Sequence, residues 1–231
     1  MAAALLALLV FLGGSSAARL PDQSTVKDSQ SGVAFPVALV PPGGSAPHRL
    51  MGTATREKTI FRIKVYAYGL YVDGGAARAA LGAFAGRPAE ALARDSAFFQ
   101  QLLRMQIPMT LRLVMVRDVS GAALGEAFDD ALKPRVAKAP AGATGLDGPT
   151  ALAAFRTFFN LREVARSTEI VFSCSPNGEL RTAVDGQSRS PLQSQALCWA
   201  LFDVYLGDKP VSLDGRRSLI SGFPAWLAGS R

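Results

Sequence analysis

Residues 51–72 read MGTATREKTIFRIKVYAYGLYV, and the side chains of this stretch divide by parity. Ile63, Val65 and Ala67 are apolar, whereas Arg62, Lys64, Tyr66 and Tyr68 carry polar tips on flexible or aromatic stems. Successive residues of a strand point to opposite faces. The stretch therefore predicts strand pairing with strand, with the apolar set against a core and the Arg/Lys/Tyr set lining something wet or charged. A face of arginine, lysine and tyrosine suits an anion that carries an apolar tail.

Outward from this pair, residues 33–40 read as a first strand, at an edge because Pro36 interrupts its donors. Residues 76–84 and 88–105 predict two helices, with Pro88 at a natural first helical position and Leu92, Phe98, Phe99, Leu102 and Leu103 on the apolar side of the second. Residues 108–118 form a strong strand. Ser120 then opens a helix that Lys133-Pro134 ends or bends, and residues 149–162 give another. Residues 168–174 return as a strand, and Pro176-Asn177-Gly178 turns it into a partner over 180–184, since Asn-Gly accepts positive φ at both central positions. Residues 193–206 are almost wholly apolar, which predicts a buried helix closed by Gly207, and 213–227 form the last helix. Clustered strands, a hairpin and interspersed helices predict an α+β fold, an antiparallel sheet backed by a layer of helices.

With 231 residues, the chain accommodates a leader over 1–30 and one domain with a sizeable core over 31–231. The apolar run at residues 2–12, followed by Gly13-Gly14-Ser15-Ser16-Ala17-Ala18-Arg19, is too short to span a bilayer. It has the apolar and small-residue parts of a secretory signal without a basic start, and the serines and missing acids of a transit peptide with one arginine. No later segment is long and apolar enough for stable membrane insertion. The net charge of +7 is spread out, with no basic run interleaved with aromatics, so no nucleic-acid partner is predicted. Cys174 and Cys198 lie in apolar surroundings and read as two buried free thiols rather than a disulfide or a metal pair. His48, the single histidine, falls in a Pro/Gly-rich loop and reads as solvated.

Phosphate-loop, dinucleotide and zinc-hydrolase motifs are absent, and a histidine-dependent triad would need His48, which has no motif around it. Asp129-Asp130 reads as a solvated helix face near Lys133 and Arg135. No cofactor, metal or catalytic residue is predicted, and no pattern signals an oligomeric state. The residues point to a binding fold, or to an enzyme working by electrostatics and positioning.

Gly69-Leu70-Tyr71-Val72 after its basic-aromatic strand resembles the Gly-Val-Tyr-Leu strand of the chalcone isomerase superfamily. The strand from Leu111 to Val119 is similar too, as is Leu197-Cys198-Trp199-Ala200-Leu201-Phe202-Asp203-Val204-Tyr205-Leu206-Gly207-Asp208 with Pro210-Val211-Ser212. The likeness runs from about Val33 to Leu227 and is greatest to the plastid fatty-acid-binding branch. It implies an open-faced β-sandwich, with a ligand cleft between a large antiparallel sheet and helices.

In that branch an arginine and a tyrosine hold a fatty-acid carboxylate, and Arg56 with Tyr66 or Tyr68 fits. A guanidinium fork matches a carboxylate bidentately, and a tyrosine hydroxyl adds a donor. The resemblance thus implies non-catalytic binding of medium- or long-chain fatty acids in the chloroplast stroma, with the secretory route as the alternative. The alternative activities are a chalcone–flavanone isomerase, an intramolecular lyase, and a non-catalytic modulator of flavonoid or lipid enzymes. Against isomerase activity, the family's first threonine falls on Tyr66 and its late Thr/Ser on Val204. No Tyr or Asn occurs from Met105 to Val136, and Arg56 stands about two residues closer to Gly69 than the pattern asks. Without the family, Arg56 reads equally as a surface residue paired with Glu57 or Asp73, and both tyrosines as cross-strand packing.

Overall fold

The computed structural model describes residues 24–58 and 63–229. Strands β1 (Thr25–Lys27) and β2 (Ala34–Pro36) form a small antiparallel ribbon. Strands β3 (Ala38–Leu39), β4 (His48–Lys58) and β5 (Ile63–Val72) follow. Three short helices come next: α1 (Gly74–Leu81), α2 (Ala89–Leu92) and α3 (Ser96–Leu102). After them come β6 (Met109–Met115), β7 (Val119–Ser120), α4 (Gly121–Val136), α5 (Gly148–Arg156) and β8 (Glu163–Val164). The hairpin β9 (Glu169–Cys174) and β10 (Glu179–Val184) leads through β11 (Gln187–Ser188) and β12 (Leu192–Gln193) to α6 (Gln195–Leu206). Helices α7 (Leu213–Leu219) and α8 (Phe223–Leu227) complete the order.

The described strands build an eight-stranded antiparallel sheet in the order β11-β10-β9-β6-β5-β4-β3, with β12 also on β10. The predicted first strand is divided into β2 and β3, and β3 is the sheet edge, as expected of a segment with Pro36 in it. The helix predicted over 88–105 is also divided, because the Asp95 carboxylate accepts from the backbone of Ala97 and Phe98 and starts a new helix there. Pro134 lies in the last turn of α4 and does not end it. The last predicted helix breaks around Gly222, whose N–H donates to Met51 O at 2.7 Å and draws the chain back onto β4.

The main core lies between the sheet and the helices, with Tyr68, Leu70, Leu111, Leu113, Phe172, Leu201 and Tyr205 in it. A second, smaller cluster of Phe35, Ala67, Tyr71 and Val114 sits on the outer face, which the β1–β2 ribbon covers. This reverses the parity expected of β5. Tyr68 is 1% exposed and faces the main core, whereas Ile63 is 41% exposed. The tyrosine bodies bury as hydrophobes and only their hydroxyls need polar partners, so a polar tip is a poor guide to which face is wet. Lys64 is exposed, and its amine donates to Gln30 O. Arg62 lies outside the described residues.

Three further expectations are corrected. Cys174 and Cys198 form a disulfide that joins β9 to α6, with Cα atoms 5.9 Å apart. Apolar surroundings fit a buried thiol and a buried disulfide equally, and only the crossing of α6 over β9 distinguishes them. His48 is 5% exposed rather than solvated, because β4 starts at this residue and carries it under the sheet edge. Residues 25–30, assigned to the leader, contribute β1 and the buried Asp28 to the folded domain; residues 1–23 lie outside the described ones.

Candidate functional site

Antiparallel register places Arg56 opposite Tyr66 and Ala54 opposite Tyr68, with a bulge immediately after Arg56. These side chains leave the sheet on its helix-facing side, under α6 and α7. Tyr66 Oη lies 3.1 Å from Tyr205 Oη, which α6 delivers from above. The Tyr66 and Tyr68 rings meet edge-on at 5.8 Å, and those of Tyr68 and Tyr205 are tilted at 4.9 Å. Arg56 Nη1 donates to Val211 O at 2.8 Å, in the segment between α6 and α7. Among the described residues this is the one hydrogen bond of its guanidinium, which carries five N–H donors.

Burial raises the Tyr66 hydroxyl above the usual tyrosine value and pushes those of Tyr68 and Tyr205 well above it; for Tyr66, the Tyr205 hydrogen bond and the Arg56 charge oppose the shift without cancelling it. All three phenols therefore stay protonated and can donate. Gly215 of α7 makes room for the deepest of them, since a Cβ there would stand 2.1 Å from Tyr68 Oη. Ser212 holds α7 in place, its Oγ accepting from Gly215 N at 2.9 Å.

Two clefts border this cluster. One, of about 190 Å³, is apolar and lies between β5 and α4, lined by Val65, Tyr66, Val119, Ala123, Leu124 and Ala127, with Lys58 and Arg117 at its rim. The other, of about 290 Å³, is polar. It lies where β4 runs between the β1–β2 ribbon and α7, and Arg56, Thr53, Asp28, Asp214 and Ser218 line it. Burial raises the Asp28 carboxyl, but hydrogen bonds from Ser31 and Thr55 outweigh that and hold it below the usual carboxylate range. Both hydroxyls reach Asp28 Oδ1 at 2.6 Å. The structure thus brings the three residues singled out in the sequence into one cluster, but Arg56 faces the polar cleft while Tyr66 borders the apolar one.

Tyr205 is the member that sequence reasoning missed. Its signal was a hydroxyl inside a largely apolar buried helix, where a polar atom must find a partner. A further cavity, of about 530 Å³ between α3, α6 and residues 140–143, is lined by none of Arg56, Tyr66 and Tyr68. His48 is remote from the cluster in the sheet: its Nδ1 lies 2.9 Å from Thr110 Oγ1, which donates to Ser173 Oγ at 3.1 Å. Among the described residues no group of three or more His, Cys, Asp and Glu side chains could hold a metal ion, and no helix is long and apolar enough to cross a membrane.

Fold and site together define a helix-backed antiparallel sheet with a cation–phenol cluster at the seam of its two layers. The family model described as chalcone isomerase like matches residues 46–220, and the chain belongs to that family. Fatty-acid-binding protein 1 of Arabidopsis thaliana is 27% identical over 207 residues, covering 87% of this chain and 71% of that protein. The chalcone–flavanone isomerase of Hordeum vulgare is 31% identical over 209 residues, covering 86% of this chain and 89% of that one. The crystal structure of an Arabidopsis thaliana fatty-acid binding protein superposes with a TM-score of 0.74 at 25% identity, covering 88% of this chain and 99% of that chain. The α+β sheet-and-helix fold expected from the sequence is the fold of that structure.

Proposed function

We propose that the chain binds fatty acids without transforming them, with the alkyl tail in the apolar cleft between β5 and α4 and the carboxylate received by Arg56, Tyr66 and Tyr68. The observation that carries this reading is the guanidinium of Arg56 beside protonated phenols, one of which, Tyr66, borders an apolar space. Similarity to proteins named as fatty-acid-binding supports it. So does the replacement of the isomerase hydrogen-bond set, with Tyr66 and the buried Val204 at two of its positions. At roughly 30 Å³ per carbon-sized group, the volume a water takes in the liquid, the apolar cleft of about 190 Å³ encloses about six carbons. The medium-chain end of the expected range fits best. Each buried methylene contributes about 0.8 kcal/mol, so the tail supplies affinity and Arg56 supplies polarity.

Native mass spectrometry of purified protein with lipid extraction, and calorimetric titration with laurate, test this. Bound fatty acid and a loss of about tenfold or more in laurate affinity for Arg56→Ala are expected, in line with about 1.5–3 kcal/mol for a hydrogen bond to a charged group. No extractable lipid together with unchanged affinity would refute it. Isomerase activity is the second reading, favoured by the likeness to the barley enzyme and by Arg56, and turnover of naringenin chalcone no faster than its spontaneous cyclisation would remove it. We also propose residence in the chloroplast stroma behind a transit peptide. The Cys174–Cys198 disulfide favours the secretory alternative, because such bonds persist in oxidising compartments. The destination of a fluorescent fusion decides between them.

A further inference from the structure

Beyond Arg56, the acyl-binding reading leaves the lining of the polar cleft unused. Its floor is the β4 segment carrying Thr53 and Arg56, and its walls are the turn at Asp28 on one side and α7, with Asp214 and Ser218, on the other. Arg56 lines this cleft, and its register partner on β5, Tyr66, lines the apolar one. Neighbouring strands are about 4.8 Å apart, so the two spaces stand on either side of one cross-strand pair. A ligand whose polar and apolar parts are joined at that pair would fill both.

The walls say which polar part fits. Carboxylates and hydroxyls predominate there, and Arg56 is the cation among the lining residues. Asp28 keeps its charge because Ser31 and Thr55 donate to it. A phosphate or sulfate head would face Asp28 and Asp214 across a space of about 290 Å³, at an electrostatic cost. A head group with several uncharged hydroxyls suits the same walls, since carboxylates and Ser/Thr oxygens accept its O–H donors and the Ser218 hydroxyl can donate in return. At the junction, Arg56 and the phenols offer N–H and O–H donors, which suit an ester carbonyl oxygen as well as they suit a carboxylate.

We infer that the preferred ligand of this site is a medium-chain acyl group esterified to a small uncharged polyol, with its tail in the α4 cleft, its carbonyl at Arg56 and Tyr66, and its hydroxyls in the α7 cleft. This rests on the acyl-binding reading above and narrows its ligand from the free acid to the polyol ester. No bond is made or broken.

The test compares 1-monolauroylglycerol with laurate, both below their critical micelle concentrations, by calorimetry on the wild-type chain and two variants. Ser218→Phe fills the polar cleft from an exposed position of α7, and Ala127→Phe fills the apolar cleft from an exposed position of α4. The wild type is expected to bind the monoester at least tenfold more tightly than laurate. Ser218→Phe should abolish that advantage, costing the monoester at least tenfold more affinity than it costs laurate, and Ala127→Phe should weaken both ligands. Thermal melts confirm that each variant is folded. Equal or tighter binding of laurate overturns the inference and leaves the acyl-binding reading standing, as does a monoester advantage that survives Ser218→Phe. Failure of the wild type to bind either ligand overturns both.

Discussion

Tyr205 and Tyr66 share one hydrogen bond across 139 residues of chain, and their substitution separates packing from polarity. Tyr205→Phe and Tyr66→Phe each remove a hydroxyl and orphan its partner, so each should cost about 1 kcal/mol in urea unfolding. The double variant should cost clearly less than the sum of the two, because a single contact is lost once; strict additivity would show that the hydroxyls are not coupled. His48 makes a second prediction. Burial lowers its pKa below the ordinary 6.5, with Asp73 opposing. The unfolded chain therefore takes up a proton before the folded one does. The His48 contribution to stability should be constant above about pH 6.5 and fall as pH drops below it, and His48→Gln should flatten that slope if this histidine is its source. Tyr66 and Tyr68 were legible as one face of a strand by alternation, and Arg56, on the neighbouring strand, was legible only through the family resemblance. Tyr205 and His48 were not, since what decides their roles is a neighbour on another strand or helix.

At the level of elements, two contacts fix the helix layer to the sheet. Helix α7 lies so close to β4 that a Cβ on Gly52 would stand 1.9 Å from Ser218 O. Gly52→Ala must push helix and strand apart, and a loss of about 2 kcal/mol or more is expected in thermal unfolding, in the range of overpacked cores, together with weaker ligand binding beside α7. The Cys174–Cys198 bridge closes a segment with a sequence separation of 24. Cys198→Ser should lower stability by about 2–4 kcal/mol, whereas two free thiols would predict little change; titration of accessible thiols under denaturing conditions provides the direct check. Strand positions, the Asn177-Gly178 hairpin and the apolar α6 were readable from period and turn chemistry. The breaks at Asp95 and Gly222 were not, because a side-chain cap and a docking contact with Met51 O interrupt helical patterns that otherwise continue.

The whole molecule has three layers, helices over the sheet and the β1–β2 ribbon beneath it, and the sequence disclosed two of them. The ribbon went unseen because its strands are three residues each and follow a segment with leader-like composition. Phe35 lies fully buried on the sheet, and Thr55 of β4 donates to Asp28 at the end of β1. Where a protease or a cloning primer cuts the N-terminus is therefore a question of stability as much as of sorting. A recombinant chain started at Ser31 gives up β1 and the acceptor for Thr55, bares the underside of the sheet near Phe35, and should melt earlier and precipitate sooner than one started at Ser24. Any leader whose removal keeps this domain intact has to end upstream of Thr25, a few residues earlier than composition alone would place it.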